Sequence, residues 1–160
     1  MKSIDKVRLY KLLTEPSEFL ISDSQYLILN SLALDDVFRN VWLSKRLSVD
    51  ERKNIIAFVQ NKGIELTARM MVVSALMLKG LRMYDVSVMM IYLSLLDEVE
   101  AQVRARVIVG LLMILAVHHK RVEKEVELND RIKQLFENEQ FVADIEKAYK
   151  HIINTFGTDK

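Results

Sequence analysis

With 160 residues, 51% of them hydrophobic, the chain is long enough to bury a continuous core and short enough to form one domain over 1–160. One Pro and four Gly are few for a turn-rich β fold and favour helices. A net charge of +1, from 23 basic and 22 acidic side chains, lacks the strong excess of an electrostatic nucleic-acid binder. The absence of Cys excludes disulfides, thiolate metal ligation and a Cys nucleophile.

The opening MKSIDKVRLYKLL has neither the unbroken apolar stretch nor the cleavage site of an export signal, so a cytoplasmic location is expected. Residues 16 to 42 read as an irregular first unit, with Ser22 and Gln25 spaced for a capping box and ILNSLAL echoing VVSALML further on. Ser48 followed by Glu51 has the same spacing: the hydroxyl accepts from an early helix N–H while the carboxylate reaches back. The spacing predicts a helix from there, with Ile55, Ile56, Phe58 and Val59 on one side and Asn61 and Gly63 ending it. Ile64 to Tyr84 is apolar around most of its circumference near Met70 to Leu78, as suits a helix packed on several sides. Asp85 is an N-cap type for VSVMMIYLSLL, helical by length although its β-branched residues also allow a strand.

After the turn DEVEAQ comes VRARVIVGLLMILAVHH. Its uninterrupted apolar run, Val107 to Val117, is shorter than the roughly 20 residues needed to span a bilayer, so no membrane role is expected. Two amphipathic helices with more acids, VEKEVELNDRIKQLFEN and NEQFVADIEKAYKHIINTF, suit a solvent-facing end.

A shift of 37 residues lays Ser48 on Asp85 and Leu66-Thr67-Ala68-Arg69 on Val103-Arg104-Ala105-Arg106. Such a period, each unit a helix hairpin, is the pattern of an α-solenoid. LSLLDEVEAQVRARVIVGLLMIL resembles a HEAT or armadillo-type repeat, and VVSALMLKGLRMYD followed by QVRARVIVGLLMIL is similar to segments of larger bacterial helical-repeat proteins. The resemblance covers roughly residues 45 to 155 and lacks the usual proline of the first repeat helix. It implies an all-α fold, a right-handed α-α superhelix of HEAT-like stacked helix hairpins. Three to four units are expected, roughly 16–46, 47–84, 85–121 and 122–156.

The same resemblance implies that Arg69 and Arg106 pair with turn acids of a neighbouring unit, with Asp97 or Glu100 as partners. These residues, with Arg104 alongside, are the candidate inter-repeat or partner-binding set; a line of guanidinium groups contacting phosphate or carboxylate is the alternative role. His118 and His119 point about 100° apart on a helix and lack the HxxxH spacing of a zinc site. They read as helix C-terminal groups, with no metal or cofactor expected; His151 is the remaining imidazole. Seven of eight Met lie between Met70 and Met113; they suit core filling, with Met83, Met89 or Met90 the candidates for an exposed patch. Trp42, with Phe38 and Val41, is placed to pack into the next repeat.

The acids Asp97, Glu98 and Glu100, then Glu123, Glu125 and Glu127, read as solvated turn and helix positions. No phosphate loop, nucleophile elbow or HExxH motif is present. The expected function is a non-enzymatic module for protein–protein interaction or scaffolding, with a protein or peptide partner and self-association open. The alternative is phosphate-backbone binding by Lys45, Arg46, Arg69, Lys79, Arg82, Arg104 and Arg106; an enzyme would need a deep pocket of converging ionisable groups.

Overall fold

The computed structural model describes residues 23–97 and 100–157, with side chains for 33–97, 100–150, 153 and 154. The chain is all-α. The described residues form seven helices and no strand: α1 Asp23–Leu43, α2 Val49–Gln60, α3 Leu66–Arg82, α4 Val86–Leu95, α5 Ala101–Val122, α6 Val126–Glu137 and α7 Glu139–Gly157. Ser22, half of the first expected capping box, and Glu98 lie outside the described residues, as does any earlier helix of a unit beginning at residue 16.

Local chemistry starts the helices. At α2 the Ser48 Oγ accepts from Glu51 N at 3.2 Å and Ser48 N donates to Glu51 Oε2 at 2.9 Å, the reciprocal pair that the spacing predicts. Asn61 ends the helix, its own N–H donating to the Phe58 carbonyl. Asp85 caps α4, its Oδ1 accepting from Ser87 N at 2.9 Å. This cap and burial on several sides keep the β-branched VSVMMIYLSL stretch helical: Val88, Met89, Ile91, Tyr92 and Leu95 all have 0% exposure. Each such large apolar side chain contributes roughly 2 kcal/mol by leaving water.

The helices pack in two layers. α1, α3, α5 and α7 touch in that order, α2 lies against α4, and α2–α3, α4–α5 and α6–α7 pack as hairpins. Within the odd-numbered layer like ends meet. Arg82 near the end of α3 donates to the Trp42 carbonyl near the end of α1 at 3.0 Å, and Arg106 of α5 donates to Ser74 Oγ of α3 at 3.0 Å. Near the starts of α5 and α7, Arg104 pairs with Asp144. These helices therefore run parallel. One apolar cluster extends from Ala33 to Phe141 between the layers, and Trp42 joins it, edge-on to Phe38 at 6.0 Å.

Two glycines set the spacing inside this core. A Cβ on Gly80 would lie 2.5 Å from Ile114 Cδ1, and one on Gly110 would lie 2.7 Å from the Tyr92 hydroxyl oxygen. A side chain at Gly80 would displace the tip of Ile114 between α3 and α5, and one at Gly110 would displace the Tyr92 ring between α4 and α5.

α5 extends beyond the eleven-residue apolar run at both ends, and among the described residues it is the one helix long and apolar enough to cross a bilayer by length and composition. The length of the uninterrupted run therefore does not by itself exclude a span. Val103, Val107, Ile108, Leu111 and Ile114 are buried against the neighbouring helices, and 33% of the apolar stretch is buried within the protein.

Burial gives α3 and α5 a different offset from that of the sequence alignment. Ala68, Val72, Val73, Ala75, Leu76 and Lys79 of α3 are buried, and so are Val103, Val107, Ile108, Gly110, Leu111 and Ile114 of α5, each pair 35 positions apart. The 37-residue shift holds for the other layer, where Ser48 and Asp85 both cap and Phe58 and Val59 correspond to buried Leu95 and Leu96. The first helix is two residues shorter in the later hairpin, ten residues against twelve, while the two connections are both five residues long. Arg69 consequently corresponds to Arg104, and the local Ala-Arg identity that aligned it with Arg106 is out of structural register.

Candidate functional site

Arg69 sits near the start of α3 with 3% exposure. Its Nε donates to the Ile64 carbonyl at 3.1 Å, Nη1 to the Val59 carbonyl at 3.5 Å, and Nη2 to Glu100 Oε2 at 2.6 Å. It therefore closes the carbonyl end of α2 while its ion pair reaches the residue preceding α5. Glu100 makes no side-chain cap to its own helix; its described partner is this guanidinium. Asp97 is exposed and no ion pair joins it to the arginines. Arg104 pairs with Asp144 of α7. Arg106 is exposed and uses Nη1 for Ser74 Oγ and, at 3.5 Å, the Met70 carbonyl, so it has no acidic partner in these contacts.

A second buried cation occupies the other end of α3. Lys79 has 0% exposure, and its Nζ donates to the Ser44 and Lys45 carbonyls at 2.7 and 2.6 Å, with Asp85 Oδ2 at 3.8 Å. Burial holds its pKa below the ordinary lysine value and the Asp85 charge opposes that shift. Asp85 Oδ2 also accepts from Leu47 N at 3.3 Å, while Arg82 adds donors to the Trp42 and Ser44 carbonyls. Carbonyls at and just beyond the end of α1 are thus met by two cations from α3, the complement expected for a helix C-terminus. Sequence reasoning missed this role. The available signal was a lysine one turn before the end of an otherwise apolar helix, followed by an N-cap acid six residues later.

The histidines divide. His118 leaves helical geometry, with φ −116° and ψ 16°, and its Nε2 lies 2.8 Å from the Gly80 carbonyl on α3. His119 stays exposed, with Nδ1 3.3 Å from the Ala116 carbonyl of its own helix. His118 therefore joins two helices, whereas His119 meets a late carbonyl of α5. The side chain of His151 lies outside the described residues, among which no group of three His, Cys, Asp or Glu is placed to hold a metal ion.

An open cleft of about 440 Å³ lies beside this junction, among Arg46, Leu47, Tyr84, Val86, Arg121 and Lys124. Arg121 sits 6.0 Å from the Tyr84 ring centroid. Burial raises the Tyr84 pKa, Glu125 and Asp85 add to the rise and Arg121 opposes it, so the phenol is neutral near pH 7. Asp85, which also borders the cleft, is committed to the contacts already described. The cleft's lining supplies charge and an aromatic wall, without a nucleophile held by a neighbouring base.

The outer surface of the odd-numbered layer has a different character. Neither α3 nor α5 contains Asp or Glu. At helical spacing Arg106, Val109, Met113, Val117 and Lys120 form one outward stripe of α5. Within it Met113 is 43% and Val117 58% exposed. Beside it on α3 lie half-buried Met71, Ser74 and Leu78. The exposed methionine among the described residues is thus Met113 and none of the three expected ones: Met89 is fully buried and Met83 and Met90 are half-buried. The turn position of Met83 and the overall apolarity of α4 concealed this difference, because neither reveals which helix stands between two others.

Comparison of the chain with protein-family models, curated proteins and solved structures finds no match.

Proposed function

We propose that the protein is a non-enzymatic helical-repeat module whose α3–α5 outer face holds a partner protein. The parallel order of the odd-numbered helices supports reading the fold as HEAT-like stacked hairpins in a right-handed superhelix, and the proposed setting is the cytoplasm. The observation carrying the functional reading is an acid-free pair of adjacent helices that exposes Met113 and Val117 between Arg106 and Lys120.

The partner chemistry follows from this pattern. An amphipathic segment laid along α5 would remove Met113 and Val117 from water, and acidic groups near its ends would meet Arg106 and Lys120. The flexible thioether of Met113 can repack against different apolar shapes. Phosphate-backbone binding is the second reading, favoured by the same lack of acids. Protein is placed first because Arg69, Lys79, Arg82 and Arg104 already meet acceptors within the chain.

The test is affinity capture from native-cell extract with the wild type and with Met113→Glu/Val117→Glu. A protein retained by the wild type and lost from the folded double variant is expected. Equal retention by both, or recovery abolished by nuclease treatment, would overturn the protein-binding reading.

A further inference from the structure

We propose that two copies of this chain associate through α7, antiparallel about a two-fold axis. One side of α7 is already occupied: Phe141 is buried and edge-on to Phe136 of α6 at 5.6 Å, and Asp144 pairs with Arg104 of α5. At about 100° per residue, Val142, Glu146, Tyr149 and Ile153 share a stripe on the side turned away from Asp144 and hence from α5. Val142, Tyr149 and Ile153 are 38%, 64% and 48% exposed. Both α3 and α5 have an odd-layer neighbour on each flank, whereas α7 has one among the described residues.

Charge order selects the occupant and its direction. Glu139 and Glu146 lie in the first part of α7, and Lys147 and Lys150 follow them. Antiparallel pairing of two identical helices brings Val142 opposite Ile153 of the second copy and Glu146 near its Lys150, with Tyr149 beside the axis. The same contacts recur by symmetry, which closes the assembly as a dimer. Parallel pairing would set Glu146 against Glu146. The surface is distinct from the α3–α5 face, so this association and partner capture can succeed or fail independently.

Sedimentation velocity of the full chain over low to high micromolar concentration tests the proposal. A reversible monomer–dimer equilibrium is expected, and Tyr149→Glu should shift it to monomer while leaving the thermal transition intact. Glu146→Lys should raise the dimer dissociation constant about tenfold, because two exposed pairs become repulsive; adding Lys150→Glu should restore the original value. A wild-type monomer throughout, open-ended polymer growth, or charge variants without this loss and recovery would overturn the proposal.

Discussion

Lys79 is held without exposure to solvent because its donors meet two carbonyls and a nearby carboxylate. Lys79→Met preserves much of the stem but removes those donors and the cation facing Asp85. It should cost about 3 kcal/mol in urea unfolding; wild-type stability in the variant would contradict the buried-cation account. Tyr92 presents the opposite titration. Its hydroxyl donates to the Val73 carbonyl at 2.9 Å, and burial pushes its pKa far above the ordinary 10.0. Above pH 10 an unfolded Tyr92 loses a proton that the folded one keeps, so stability falls as pH rises. Tyr84 acts in the same direction. Lys79 acts oppositely as pH approaches its ordinary 10.5. Tyr92→Phe should cost about 1 kcal/mol at neutral pH through the lost hydrogen bond and flatten the alkaline decline. Thermal melts at neutral and alkaline pH check both effects, and an unchanged alkaline slope would rule out Tyr92 as its main source.

At the scale of elements, the local caps at Ser48 and Asp85 were legible because each acts within a few residues of its own helix. The register of α3 against α5 was not legible from a single Ala-Arg match: it depends on which residues face the core, and a two-residue difference in the hairpins shifts that pattern. The offset set by burial separates three arginines energetically. Arg69→Ala should destabilise by about 3 kcal/mol, since it leaves a partly buried acid and two carbonyls without a donor. Arg104→Ala should cost about 1 kcal/mol and Arg106→Ala less than about 0.5 kcal/mol. Chemical denaturation of the three variants checks the order, and equal losses at Arg69 and Arg106 would support the 37-residue alignment instead. The α4–α5 contact has its own test. Gly110→Ala improves helix propensity but drives a Cβ toward the Tyr92 hydroxyl, so a net loss of about 2 kcal/mol is expected. In a double-mutant cycle the loss should shrink in the Tyr92→Phe background, and simple additivity would show that the hydroxyl is not the obstacle.

For the whole molecule, helix content was readable from breaker scarcity, caps and apolar periodicity. The sequence could not assign α5 its outward stripe, because Met113 and Val117 look no different from buried Leu111 and Ile114 until α3 and α7 occupy its flanks. Those flanks also explain why an apolar helix carries Arg104 and Arg106 near one end: Arg104 pairs with the next odd-layer helix and Arg106 bonds the previous one. The surface left over, between Arg106 and Lys120, is the proposed seat of a partner protein. Its most direct test places a photoreactive phenylalanine at Val117 in the native cell, with exposed Lys133 on α6 as the control position. A discrete protein adduct is expected from position 117 and none from position 133. No adduct at 117, or the same adduct at both positions, would contradict the proposal.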